Sequence, residues 1–208
     1  MMASNDLAIT NFERNISSVE ELIKIYEIIQ LQLPILKTQS GEILRAIIVL
    51  SVSALDNFLH DFYRTEIVDS YLGNGNFNIQ FDKIKISIKS LSEIDNSVST
   101  AEKQNYLTNE LRKIQKTESY QSSRSIESIF ANLSVKNIWT KLEEIGIDNL
   151  KSNDIKSELS NIIDRRNKIS HESDWDFVNQ TKYPIALTDA KYVVNFIKKF
   201  VQGINQIT

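Results

Sequence analysis

The chain predicts an all-α helical bundle with a small extended or β insertion around residues 77–88. Three observations lead there. Apolar residues recur near every 3.6 positions over most of the 208 residues. Only 5 Gly and 2 Pro interrupt them. Ser, Thr and Gly stand at the edges of the periodic segments, where helices start and stop. Hydrophobic residues are 41% of the chain, enough for one sizeable core, and no linker, repeat or low-complexity stretch divides it. Residues 1–208 therefore read as a single domain.

In chain order, Ser18-Val19-Glu20-Glu21 has the form of a capping box and predicts a helix over residues 19–33, stopped by Pro34. A long helix over 41–71 follows, its core stripe Ile43, Ile47, Leu50, Ala54 and Phe58, with Gly73 beyond its end. Phe77, Ile79 and Phe81 alternate with polar residues, as do Ile84, Ile86 and Ile88, which is the pattern of extended chain. Ser99-Thr100-Ala101-Glu102 is a second capping box, opening a helix to residue 116. Residues 117–125 read as a polar loop and 125–132 as a short helix. Ser134 is the expected cap of a helix over 135–145 that Gly146 ends. Helices over 154–170 and 188–207, joined by a loop containing Pro184, complete the chain.

Composition excludes several functions. The formal net charge of −3 argues against a surface coated in nucleic acid and leaves room for a local basic cleft. With no cysteine there are no disulfides, thiolate metal sites or cysteine nucleophiles. Two histidines are too few for a histidine-rich metal centre within one chain, and no metal or cofactor is expected. The first residues lack the basic and apolar regions of a signal peptide. The longest apolar run, 46–55, contains two serines and is too short to span a bilayer. A cytoplasmic protein without membrane association is the expectation.

The segment 162–172 carries the chemistry. Ile155, Leu159, Ile162, Ile163 and Ile169 gather on one side of a helix, and Arg166 falls in their midst. An unpartnered guanidinium is costly to desolvate, so this position calls for a use. His171 follows five residues later, roughly 140° around an ideal helix. Asp164, Asn167 and His171 share a face instead. For Arg166 and His171 to serve one atom, the helix must end or bend near Ser170, or two copies must meet across a twofold axis. The alternative is structural: Arg166 pairing with an acid such as Asp56, and His171 complementing a helix C-terminus. On the 41–71 helix, Asp56, His60 and Arg64 recur at i,i+4; His60 reads as a supporting residue oriented by Asp56. The basic stretch 111–116 with Tyr120 and Arg124 could hold phosphates and stack a base, but reads more simply as a solvated helix end. Trp139 and Trp175 read as core or interface anchors.

Arg166-Asn167-Lys168-Ile169-Ser170-His171 resembles the Arg-x4–6-His signature, with Asn directly after Arg, of HEPN domains (higher eukaryotes and prokaryotes nucleotide-binding). Three segments resemble the RiboL-PSP-HEPN branch in order and spacing: Ser53 to Asp61, Tyr120-Gln121-Ser122 leading into Ile126-Glu127 and Ile138-Trp139, and Arg165 to Asp174. The likeness covers about residues 40–205. It implies a helical bundle that dimerises and cuts RNA without metal, leaving a 2′,3′-cyclic phosphate and a 5′-hydroxyl. The motif carries over to Arg166, Asn167 and His171 as catalytic residues, with Asp56, His60, Arg165 and Glu172 supporting them and Arg64 and Lys168 contacting substrate. It further implies RNA as substrate, a homodimer, and a toxin or antiphage role alongside a cognate antitoxin or defence-system partner. Two other readings stand beside it: a non-catalytic helical interaction or nucleotide-binding module, and a metal-dependent nuclease using Asp56, Asp164 and Glu172.

Overall fold

The computed structural model describes residues 4–37 and 39–207; the N-terminal Met1-Met2-Ala3 lies outside them. Helix α1, Ser4–Gln32, begins 15 residues before the expected start. Ala8, Phe12, Ile16 and Val19, spaced by four, four and three, are buried along it. Phe12 meets Phe58 of the next helix edge to face, ring centroids 5.9 Å apart. Ser18 is mid-helix, its hydroxyl donating back to the Arg14 carbonyl at 3.3 Å. The supposed capping box caps nothing, because the apolar stripe continues upstream of it.

Helix α2, Gly41–Tyr71, is the axis of the bundle. It packs against α1 and against α4 (Thr100–Gln115), α7 (Ser152–Glu172) and α8 (Leu187–Ile207). With neighbours on several sides its buried arc is wide, running through Leu44, Ile48, Leu55, Phe58, Leu59 and Phe62. Leu50, expected in the core stripe, is 45% exposed, since the arc centres one position away from it. By length and composition α2 passes the test for a bilayer span, with a mean hydropathy of 1.5 over 18 residues. The shorter run 46–55 understated this; the helix is nonetheless the core of the bundle, 56% of that window being buried inside it.

The alternating stretch 77–88 is extended without pairing into strands. Ile79 is buried and Phe77, Ile84 and Ile86 pack against the core, so the period of two reports burial alone. A 3-10 turn, Phe81–Lys83, interrupts it, and the Gln80 N–H donates to the Asn132 carbonyl at 3.0 Å. An unforeseen helix α3, Ile88–Asp95, follows, its N-cap Ser87 accepting from the Ser90 N–H. Helix α4 starts as expected: Ser99 accepts from the Glu102 N–H at 3.2 Å, and Glu102 reaches back to the Val98 N–H at 2.9 Å.

Helix α5 is Ser123–Asn132, and α6, Ile138–Ile145, starts three residues later than expected. Ser134 does not cap it. Ser134 has φ 59° and donates to the Asn78 carbonyl at 2.6 Å, so the chain turns before the helix forms. Gly146, at φ 89°, ends α6 in the left-handed region that suits glycine. Trp139 anchors the core against Phe200, centroids 6.0 Å apart, while its indole N–H donates to Glu127 at 2.6 Å. In α8 a Cβ on Gly203 would lie 2.9 Å from Ile147 Cδ1 and 3.0 Å from Leu142 Cδ2, so this position lets α8 close on α6. Between α7 and α8, where a loop was expected, a two-stranded antiparallel ribbon forms from β1 (Trp175–Asp176) and β2 (Thr181–Lys182), Trp175 opposite Lys182. Trp175 sits at its exposed edge, outside the core.

Candidate active site

Helix α7 buries Ile155, Leu159, Ile162 and Ile163, with Ile169 partly buried. Arg166 lies half-buried within that series. Its Nη2 donates to the Gln121 side-chain oxygen at 2.8 Å and its Nη1 to Asn167 Oδ1 at 3.1 Å. Its Nε is buried with no hydrogen-bond partner. The guanidinium is thus anchored by neutral amides, and among the described residues no direct ion pair compensates it.

Gln121 is itself buried, and its backbone N–H donates to Asp56 Oδ1 at 3.0 Å. The Tyr120 N–H reaches the same oxygen at 2.7 Å. Asp56 therefore connects to Arg166 through Gln121; the direct pair of the alternative, structural reading does not form, and Gln121 stands between the two. His60 Nε2 stands 3.6 Å from the other Asp56 oxygen, and its ring lies against Tyr120, centroids 4.3 Å apart. Burial alone would raise the Asp56 carboxyl; His60 and the Tyr120 and Gln121 N–H groups outweigh it and hold the pKa below its ordinary value. Burial also pushes the Tyr120 phenol up, to about 12, with Tyr63 adding to the effect.

Arg165, one position earlier and roughly 100° around the helix, faces a different flank. Its Nη1 and Nη2 reach Asp174 at 2.5 and 2.9 Å, and Nη2 also donates to the Pro184 carbonyl at 3.1 Å. Arg45 Nε donates to the same carboxylate at 2.7 Å and Arg45 Nη2 to the Tyr183 carbonyl at 2.7 Å. Asp174 is 0% exposed. Ser173 and Asp174 both take positive φ, 54° and 58°, and both N–H groups return to the Lys168 carbonyl. The end of α7 is locked to α2 by this cluster.

Helix α7 runs on to Glu172, so it neither ends nor breaks at Ser170. His171 is exposed in its last turn, on a different flank from Arg166. Glu172 and Lys168 are exposed too, the Lys168 amine 5.5 Å above the Tyr183 ring. Arg64 is buried and engaged, Nη1 with Gln115 at 2.8 Å and Nη2 with Asp61. Burial lowers its pKa, Asp61 opposes and Arg112 adds to the lowering. Asp164 is exposed, and among the described residues no three acidic or histidine side chains gather to hold a metal, Asp56, Asp164 and Glu172 included.

Gln121, Arg45 and Asp174 were not foreseen as parts of the site. Gln121 and Asp174 stand within the segments that carry the family likeness, so the order of those segments was the available signal. Arg45 has none beyond its place beside an apolar run.

Among family models, the RiboL-PSP-HEPN model matches residues 13–208. No curated protein and no solved structure matches the chain.

Proposed function

From the premise that this chain belongs to the RiboL-PSP-HEPN family, we propose that it is a metal-independent endoribonuclease that works as a dimer. The observation that carries the reading is Arg166: a guanidinium set in an apolar helix face, held by two amides, with no acid paired to it among the described residues. Such a fork is preorganised for a phosphate and for the added charge of a phosphorane.

In the reaction the ribose 2′-oxygen loses its proton and attacks phosphorus. The O2′–P bond forms, the P–O5′ bond breaks, and the 5′-oxygen takes up a proton. A 2′,3′-cyclic phosphate and a 5′-hydroxyl result. His171 exchanges one of these protons, which suits an exposed imidazole. Asn167 holds the Arg166 fork in plane by accepting from Nη1. Because α7 is continuous through both residues, Arg166 and His171 of one chain sit on different flanks, and a twofold pairing of two α7 helices would bring both kinds of group to one cleft. A toxin or antiphage role, opposed by an antitoxin or tuned by a defence-system partner, is the biological setting of this reading.

A second reading has its own support: the Arg166–Gln121 bond also clamps the 119–121 segment, as it would in a non-catalytic module. Incubation of the pure protein with RNA in EDTA separates the two. The nuclease leaves cyclic-phosphate ends and His171→Ala lowers cleavage at least about 10²-fold; cleavage at the wild-type rate in that variant rules out the assigned role.

A further inference from the structure

A cleft of about 540 Å3 lies where α1, α2 and α4 meet, with Asp56, which accepts from the Gln121 N–H, in its wall. Its charged walls come from Arg14, Arg64, Arg112 and Lys116, against Asp56, Asp61 and Glu118. Most of these charges are spent. Asp56 is satisfied by two backbone N–H groups and His60. Asp61 accepts from Arg64 and from the Asn11 amide at 2.9 Å. Arg14, Arg112 and Lys116 remain, with no ion pair or side-chain hydrogen bond among the described residues, and Glu118 is the one acid left to oppose them.

That convergence is unusual for this chain. Its formal net charge is −3, and many surface lysines are matched, Lys156 with Glu127, Lys191 with Glu27 and Lys198 with Glu20, each at 2.6 Å. Three unmatched cations at one concavity repel one another in the empty state and gain most from an anion. The rest of the wall is amide and imidazole: Asn11, Asn15, Asn57 and His60. Amides offer both donors and acceptors, as base edges and ribose hydroxyls require. Two of the free cations are or include guanidinium forks suited to phosphate. The volume falls in the range that holds a nucleotide.

We propose that this cleft is a ribonucleotide phosphate site, coupled through Asp56 and Gln121 to Arg166. Arg14, Arg112 and Lys116 take the phosphate, and the amide wall takes sugar and base. The ligand is one nucleotide of an RNA strand flanking the scissile bond or a free nucleotide; naming the strand rests on the ribonuclease reading above, while binding itself does not.

Fluorescence anisotropy with two probes tests this: a labelled 2′-O-methyl RNA oligonucleotide, which lacks the attacking hydroxyl, and labelled ATP. Arg14→Glu combined with Arg112→Glu changes two exposed residues and leaves the fold intact by circular dichroism. We expect this variant to bind at least about tenfold more weakly, with a shallower salt dependence. Lys24→Glu, on α1 outside the cleft, controls for bulk charge and binds as wild type does. Loss confined to the oligonucleotide identifies a strand-binding site; loss confined to ATP identifies a free-nucleotide site. Wild-type affinity in the double variant, an equal loss in the Lys24→Glu control, or no binding of either probe overturns the proposal. Cleavage is scored separately, so a protein that binds through the cleft and never cuts RNA removes the ribonuclease reading and keeps this one.

Discussion

Arg165 and Arg166 are neighbours in sequence, yet the two flanks of α7 treat them in opposite ways. On one flank, Arg165 joins Arg45 around the buried Asp174 carboxylate, and every charge has a partner. On the other, the partners of Arg166 among the described residues are the neutral oxygens of Gln121 and Asn167. The closed flank spends its charge on holding helix ends in place. The open flank retains a cation whose natural complement is an anion from outside. One residue of offset on a helix separates a fastener from a receptor.

The sharpest way to break the comparison is Asp174→Ala. It strands two guanidiniums, one of them nearly buried, and should cost about 3–5 kcal/mol in urea-induced unfolding. A loss below about 1 kcal/mol would mean that the closed flank is not a fastener. Next, His171→Ala should lower the proposed RNA cleavage by about 10²–10⁴-fold while the unfolding midpoint stays put, since the side chain is exposed. Gln121→Ala then probes the open flank. It removes a hydrogen bond to a charged group and should cost about 1.5–3 kcal/mol in the same unfolding assay. It should weaken cleavage too, by freeing the Arg166 fork.

The smallest effect concerns acid. The folded pKa of Asp56 lies below its unfolded value, so the folded state binds the proton less readily. Its stabilisation is complete above the unfolded value near 3.8 and fades as pH falls through the lower folded value. Asp56→Asn should therefore flatten the stability–pH curve in that acid range, measured by thermal melts from pH 2 to 6. An unchanged slope would mean that the Tyr120, Gln121 and His60 contacts of Asp56 add nothing to the stability of the open flank.

Much of this was legible because it is local. The α2, α4, α7 and α8 helices follow from stripes and stop signals, and Arg166 stands out by interrupting one stripe. The start of α1 was hidden by Ser18-Val19-Glu20-Glu21, whose spacing mimics a cap inside a helix. The eight-residue α3 and the ribbon at 175–182 are too short for a period to declare itself. The partners of the two arginines lie 45 positions away for Arg166 and nine away, around a left-handed turn, for Arg165. No periodicity spans such distances; only the fold supplies them.

Arg45 grips both roots of the ribbon, the Asp174 carboxylate at its entry and the Tyr183 carbonyl at its exit. The ribbon is consequently a loop pegged at its base to a single point on α2, with Phe177 and Val178 projecting at the free tip. Lengthening or shortening the tip should alter how far it reaches without shifting the imidazole at the end of α7, which makes residues 177–180 the place where this scaffold can vary its outline at little cost to its chemistry.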